Sequence, residues 1–508
     1  MRRYSLVWNP IAVFHGYPLP KSDIFDILWL VTTKEVHVIG RRDESKALRT
    51  AYESSYSEFV TLYGRRRIGK TFLVNETFGY EFAFHCAGLK GEGMARQLDN
   101  FRFALRRYGH DKCPRLKSWL EAFYELEMLL ERQGGGRKVV FIDEMPWMDT
   151  HKSGFLAALE GFWNGWATSR KDILLIACGS ATSWIVRKIN RNRGGLHNRV
   201  GVRIKLSPFT LAECEEYANE RRLGYDRLNI AECYMALGGV AYYWNQLEKG
   251  KSPEQNFNRL FFGPGDGLRL EFDELYSSLF RNPEPYMRII TALDKRRSGL
   301  TRDEIISEIG ASCGGGKLSE MLADLEECGF VRLARPIGGK NGGVYQLVDD
   351  FSLFYLQFVK RCQSRDGDYW TDAVSSETKN NWRGLAFERL CLAHVRQIKF
   401  ALGISGVHTD VYSWRTEPTD ESRGAQVDLL IDRKDGIVNL CEMKYSREKY
   451  AISKDEHDRL QNRVAAFGRI AGRGKSVHLT MVTTCGLVHN KYWNDVQSEV
   501  VLDDLFRA

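Results

Sequence analysis

The sequence predicts an α/β chain: a parallel sheet wrapped by helices, then a helical region, a small helical unit closed by a hairpin, and a second α/β unit. Three observations carry this expectation. Between Val36 and Lys205, apolar strand-like runs alternate with helical stretches (EFVTLYG, TFLVNETF, RKVVFIDE, DILLIACGS), the pattern of a sheet with helical crossovers. After Pro208 the pattern is helical to about residue 260. Further on, the apolar runs QVDLLI and IVNLCEM flank RKDG, a hairpin signal with Asp435-Gly436 at the turn. At 508 residues, the chain has room for about three units that each bury a core.

Taken in order, residues 1–35 lack a clear period, contain Pro10, Pro18 and Pro20, and read as an extension outside the first unit. Residues 36–205 form the parallel-sheet core and residues 206–265 the helical region, which ends in a linker at FFGPGDG, Phe261 to Gly267. Residues 266–350 offer amphipathic helices at YMRIITAL, RDEIISEIG and KLSEMLADLEECG, then two strands in FVRLARPIGGKNGGVYQLV joined by a Gly-rich basic turn. Helices followed by a hairpin wing suggest a winged helix-turn-helix. Residues 351–508 are long enough to be a separate α/β domain.

Composition sets limits on partners. Lys plus Arg exceed Asp plus Glu by 73 to 65, a formal charge of +8, mildly favourable to a polyanion. The densest basic run, Arg187 to Lys205, fits either a solvated loop or nucleic-acid contact. Wing residues Arg332, Arg335 and Lys340 favour phosphate contact, although winged helices serve equally as protein-contact modules. The eleven cysteines never come closer than Cys313 and Cys328, so they form no zinc or redox spacing and read as reduced, mostly buried thiols. The best membrane candidate, Ile24 to Val31, is short and contains Asp26, which argues against a spanning helix. A cytoplasmic protein without membrane partners is the expectation.

The first chemical site is YGRRRIGKT, which places Gly64, Gly69, Lys70 and Thr71 in GxxxxGK[ST] spacing, after a strand and before a helix expected to start at Thr71. Backbone N–H groups from Gly64 through Arg65, Arg66, Arg67, Ile68, Gly69 and on to Phe72 would cradle phosphate at the positive helix end. Lys70 would neutralise the β- and γ-phosphates and the Thr71 hydroxyl would join a Mg²⁺ shell, so ATP and Mg²⁺ are the expected cofactors. The strand KVVFID runs into Asp143 and Glu144; Asp143 would hold the cation through water and Glu144 would orient or deprotonate the attacking water. Ser180, ending DILLIACGS, is placed to sense the γ-phosphate. Arg199, with Arg193 as competitor, is the candidate for a cation stabilising transition-state charge in cis or across a subunit interface.

With VIGRRDE at Val38 to Glu44 preceding the arginine-rich phosphate loop, the chain resembles prokaryotic, archaeal-type AAA/STAND P-loop ATPases over nearly everything after residue 35. The resemblance implies an AAA+-like core and a helical lid carrying ALGGVAYYW (Ala236 to Trp244), where paired glycines would allow close backbone approach. It further implies a winged helix and a C-terminal domain of restriction-endonuclease-like type.

The second chemical site supports that last implication from its own residues. Folding QVDLLI and IVNLCEM about RKDG brings Asp428 approximately opposite Glu442, and the period of two puts Lys444 on the same face. Two carboxylates and a lysine suit phosphodiester hydrolysis, the acids binding Mg²⁺ or Mn²⁺ and the lysine orienting water or offsetting charge. This resembles the PD-(D/E)xK signature, with Val427 standing where the motif has proline. By the same resemblance GLAFERLCLAHV (Gly384 to Val395) is the first core helix, offering Glu388 as a further metal ligand. DRLQNRVAAF is then the intervening helix and HLTMVTTCGL the later strand.

Two functions fit these readings. One is an ATPase whose nucleotide state controls a DNA-directed, metal-dependent nuclease-like domain. The other is a signalling switch whose ATP state governs homo-oligomer or protein-partner assembly, its last domain docking without cutting.

Overall fold

The computed structural model describes residues 38–180, 182–191, 194–265, 267–280, 282–310, 314–335, 342–362, 367–416, 424–471 and 474–507. The expectations for residues 1–35, Arg193 and Lys340 lie outside the described residues. Residues 39–508 form one unit.

That unit opens with helix α1 (Arg42–Glu53), strand β1 (Glu58–Tyr63) and helix α2 (Lys70–Thr77), one residue earlier than the motif predicts. Then follow β2 (Phe84–Ala87), α3 (Met94–Arg107), α4 (Trp119–Arg132), β3 (Lys138–Asp143), α5 (Phe155–Gly161), β4 (Ile173–Gly179) and β5 (Val202–Lys205). The five strands are parallel in the order β2-β3-β4-β1-β5. Every residue of β3 and β4 is buried, as continuous apolar runs must be when helices cover both sheet faces. Register sets Tyr63 beside Gly179 and Ile142 beside Ala177. The C-terminal ends of β1, β4 and β3 therefore form one edge, where α/β sheets place their ligands.

The helical region comprises α6 (Leu211–Glu220), α7 (Arg227–Leu237), α8 (Ala241–Asn245), α9 (Pro253–Phe257) and α10 (Glu271–Leu279). Reciprocal capping boxes start α6 (Thr210 with Glu213) and α9 (Ser252 with Gln255). The stretch expected as a linker is instead a bend within this region: helix runs on through Phe262, and the Leu268 N–H donates to the Leu260 carbonyl at 2.8 Å. Aromatic packing explains the continuity, since the rings of Phe257 and Phe261 lie tilted against Phe354 with centroids 5.6 and 4.7 Å away.

Helices α11 (Glu284–Lys295), α12 (Arg302–Ile309) and α13 (Gly316–Glu327) precede the antiparallel pair β6 (Val331–Ala334) and β7 (Val344–Leu347). Leu300 bridges to Tyr345 as a third strand position. The chain then enters α14 (Asp350–Phe354), α15 (Ser376–Ala393), α16 (Val395–Ala401), β8 (Thr409–Thr416), β9 (Ala425–Arg433), β10 (Ile437–Lys444), α17 (Lys454–Gly468), β11 (Ser476–Thr483) and β12 (Ser498–Val501). This second sheet has the order β12-β11-β10-β9-β8 and is mixed: β10, β11 and β12 run parallel, β8 and β9 antiparallel to their neighbours. Alternation along its strands buries Leu429, Ile431, Cys441 and Met443 in the core shared with α15, and Leu430, Val438 and Leu440 in the core shared with α17. One apolar cluster runs unbroken from Phe209 to Phe506.

The described cysteines are free, buried thiols, except that Cys485 is half-buried. No helix among the described residues is long and apolar enough to cross a membrane.

Candidate functional site

At the end of β1 the chain must turn through the six residues Gly64 to Gly69 into α2, and two glycines make this possible. Gly64 has φ 151°, and a Cβ there would lie 2.2 Å from the Leu206 carbonyl oxygen; Gly69 caps α2 at φ 92°. Lys70 is buried and donates to the Gly64 and Arg65 carbonyls at 3.0 and 2.9 Å and to Ser180 Oγ at 3.0 Å. Thr71 donates its hydroxyl to Asp143 Oδ2 at 2.7 Å, while Asp143 Oδ1 accepts the Glu144 N–H at 2.8 Å. Glu144 lies in the left-handed region at φ 44°, a conformation that costs a non-glycine residue of order 1–3 kcal/mol and concentrates at functional sites. Its carboxylate accepts both the backbone N–H and the hydroxyl of Ser180, at 3.2 and 2.7 Å. Lys70, Thr71, Asp143, Glu144 and Ser180 are thus one connected cluster at the sheet edge. This is the geometry of a phosphate-binding loop at the carboxyl edge of a parallel sheet.

The remaining loop residues divide by where their side chains go. Ile68 is buried and Phe72 is exposed. Arg65 and Arg67 are offered to the site by their backbone alone. Arg65 pairs with Asp349 in the core and stacks over Phe330 at 4.9 Å. Arg67 pairs with Glu271 at 2.7 Å and covers Tyr242 at 4.0 Å. Arg66 is half-buried, and Arg199 lies on an exposed turn before β5. The motif residue Arg41 packs over Phe209 at 4.5 Å beside Glu213. The same Phe209 backbone meets Gly239, where a Cβ would lie 2.0 Å from its carbonyl oxygen, so the expected close approach falls at Gly239.

In the second sheet, the observed register pairs Cys441 with Leu429; one further step sets Glu442 across from Asp428. Lys444 Nζ contacts Glu442 Oε1 at 2.7 Å and Glu456 of α17 at 3.1 Å. Arg463 of α17 takes the other Glu442 oxygen. Burial, reinforced by the charges of Asp428 and Glu442, pushes the Glu388 carboxyl up to about 7. Burial works to lower the Lys444 ammonium, but the Glu442 and Glu456 carboxylates outweigh it and hold the group firmly charged. Glu388, Asp428, Glu442 and Lys444 share one cleft of about 540 Å³. The carboxylate oxygens of Glu388, Asp428 and Glu442 share the cleft without all lying within 4.8 Å of one another, a closeness that among the described residues only the ligand atoms of His110, Cys113 and Glu125 reach; drawing the three carboxylates onto one hard divalent cation would relieve their mutual repulsion.

The unit of α11 to α13 with β6 and β7 forms the far wall of this cleft. Arg332 of β6 lines it and faces the charge of Asp428; burial lowers its guanidinium and Asp428 opposes that. Arg332 also donates to Gln346 at 2.9 Å. Arg332 thus faces the cleft from a half-buried position, while Arg335 is exposed. Helix α13 carries one lysine against Glu320, Asp324, Glu326 and Glu327. Asp324 receives Arg187 at 2.6 Å and the Tyr286 hydroxyl at 2.8 Å, and Glu327 receives Lys205 at 3.2 Å. The two ends of the basic run thus dock on this helix.

No family model matches the chain. It is 26% identical over 358 residues to an uncharacterized protein of Methanocaldococcus jannaschii (MJECL04), covering 69% of this chain and 76% of that protein. Among solved structures, the Walker-type ATPase PABY2304 of Pyrococcus abyssi is 18% identical with a TM-score of 0.45, covering 64% of this chain and 97% of that one. The Aeropyrum pernix ORC2 protein, solved as ADPNP-ADP complexes, is 14% identical with a TM-score of 0.39, covering 62% and 92%.

Sequence reasoning missed Arg463, Glu456, Asp349, Asp350 and Arg389. For two of these a signal existed. Glu456 and Arg463 share a helical stripe with buried Leu460 and Phe467, and charged residues at core-facing positions need partners.

Proposed function

We propose that this protein is an AAA/STAND-type P-loop ATPase whose nucleotide state controls a DNA-directed, metal-dependent nuclease-like site in its C-terminal sheet. The observation that carries the reading is the cluster at the ends of β1, β3 and β4. There Thr71 meets Asp143 at 2.7 Å, and Lys70 reaches Glu144 through Ser180.

A bound Mg²⁺ supplies charge neutralisation at phosphate and lowers the pKa of a coordinated water. Thr71 and Asp143 would hold it at the first site. Lys70, whose ammonium rests on two loop carbonyls, transfers those contacts to a phosphate oxygen. Glu144 accepts the proton of the attacking water, and Ser180 holds both Glu144 oxygens in place. At the second site Glu388, Asp428 and Glu442 would hold Mg²⁺ or Mn²⁺. Lys444 orients water or offsets charge on the scissile phosphate.

The test incubates the full chain with supercoiled, linear and branched DNA, with Mg²⁺ or Mn²⁺ and with or without ATP, beside Lys444→Ala and Lys70→Ala. Metal-dependent cleavage lost in Lys444→Ala, together with ATP turnover lost in Lys70→Ala, is expected. Full ATP hydrolysis by Lys70→Ala overturns the first half.

A second reading, a switch with a non-cleaving docking domain, is favoured by two observations: Lys444 and Arg463 already occupy both Glu442 oxygens, and the unit of α11 to α13 with β6 and β7 walls the cleft. Absence of cleavage under every condition, with a nucleotide-dependent change in oligomer size, selects it.

A further inference from the structure

The phosphate loop and the Glu388 helix are joined by buried charge. Arg65 pairs with Asp349 through Nη1, and Asp349 caps α14 by accepting the Ser352 N–H at 2.9 Å. The next residue, Asp350, receives Arg389 at 3.2 Å, and Arg389 is adjacent to Glu388 on α15. Arg65, Asp349 and Asp350 are all buried.

Two features make this chain more than a static strut. First, the Arg65 carbonyl is one of the acceptors on which the Lys70 ammonium rests, at 2.9 Å. A phosphate that recruits Lys70 takes that hydrogen bond away from the peptide whose side chain reaches Asp349. Second, the chain has unused donors and room for a second arrangement. Arg65 Nε and Nη2 and Arg389 Nη2 are buried without hydrogen-bond partners. Arg65, Asp349, Asp350 and Arg389 all line one cavity of about 200 Å³. Two adjacent carboxylates facing two under-used guanidinium groups offer alternative pairings, and a packed element with discrete alternatives is what carries coupling between sites.

We propose that Arg65, Asp349, Asp350 and Arg389 form a coupling element through which nucleotide in the phosphate loop changes divalent-cation affinity at Glu388, Asp428 and Glu442. This rests on the two-site reading above. Arg65 acts as a positioning residue, through Asp349.

The test measures Mn²⁺ binding to the full chain by electron paramagnetic resonance, with and without a saturating non-hydrolysable ATP analogue. Glu442→Gln identifies which bound ion belongs to the C-terminal site. In the wild type, nucleotide should shift Mn²⁺ affinity at that site by about fivefold or more, the lower end of typical coupling. Asp349→Asn and Arg389→Gln should reduce the shift to under about twofold while still binding nucleotide and Mn²⁺ separately, which a merely structural role would not produce. Should Asp349→Asn fail to fold, Arg389→Gln at the other end of the chain decides. Wild-type protein that binds both ligands independently overturns the coupling and leaves the two sites standing, as do variants that keep the full shift. Wild-type protein with no Glu442-dependent ion removes the C-terminal site, and the coupling with it.

Discussion

Ser180 holds both carboxylate oxygens of Glu144, its hydroxyl donating at 2.7 Å and its backbone N–H at 3.2 Å. The end of β4 thereby fixes a residue that belongs to the end of β3. A carboxylate so restrained is pre-positioned to take a proton from water.

Glu144→Gln keeps the shape and the Ser180 N–H contact but removes the basic oxygen. Steady-state ATP turnover should fall by about 10²- to 10⁴-fold, with nucleotide affinity, measured by fluorescence titration, changed by less than a few-fold. Turnover within threefold of wild type in this variant would remove Glu144 from the proton-accepting role.

What the sequence disclosed and what it hid divide along physical lines. Strands β1, β3 and β4 were legible because each is a short apolar run bounded by turn residues, and their ends carry residues of phosphate- and cation-binding type. The Asp428–Glu442 relation was legible because strand periodicity is two and the Asp435-Gly436 turn fixes the register. The continuation of α9 through Phe262 was not, since GPGDG signals a break and nothing local shows that Phe257 and Phe261 pack against Phe354. The Arg65–Asp349 pair spans 284 positions, and no local pattern predicts which buried acid a phosphate-loop arginine will find. That Arg332 faces the cleft was not legible, because hairpin sequences do not reveal which neighbour covers them.

Gly239 and Gly238 make different demands. A Cβ on Gly239 would stand 2.0 Å from the Phe209 carbonyl oxygen and 2.5 Å from its nitrogen, whereas Gly238 at φ 59° faces open space. Gly238→Ala should therefore cost of order 1–3 kcal/mol through the backbone alone, because φ 59° with ψ −167° is a region essentially reserved for glycine. Gly239→Ala must displace backbone and should cost at least the roughly 1–3 kcal/mol of an overpacked core. Chemical-denaturant melts of the two variants measure both losses, and a Gly239→Ala loss under about 1 kcal/mol would mean that the Phe209 contact yields freely.

The docking of α13 on the nucleotide-binding core depends on Asp324, which is buried and receives Arg187 and Tyr286. Arg187→Ala leaves Asp324 with the tyrosine alone. Because Arg187 is 47% exposed, the loss should sit at the lower end of the roughly 1.5–3 kcal/mol of a charge-assisted hydrogen bond. Hydrogen exchange should quicken in α13 and leave β1 and β4 unchanged. Uniform quickening across both would show that the contact supports the whole fold and not the docked helix.

Asp350 gives the fold a pH dependence of definite sign. Burial, with a further push from the Asp349 charge and against the pull of Arg389, raises its carboxyl from 3.8 to about 7. Between those two values the folded chain holds a proton that the unfolded chain has released. Stability therefore falls as pH rises through that window, with a limiting slope of about 1.4 kcal/mol per pH unit for one proton. Asp350→Asn cannot titrate, so the stability of wild type relative to this variant should decline from pH 5 to 7 and level off above about 8. Denaturant melts of both proteins at pH 5, 6, 7 and 8 measure the difference directly. A flat difference across the range would place the ionised Asp350 carboxylate in full partnership with Arg389 already at pH 5, and its burial would then carry no proton.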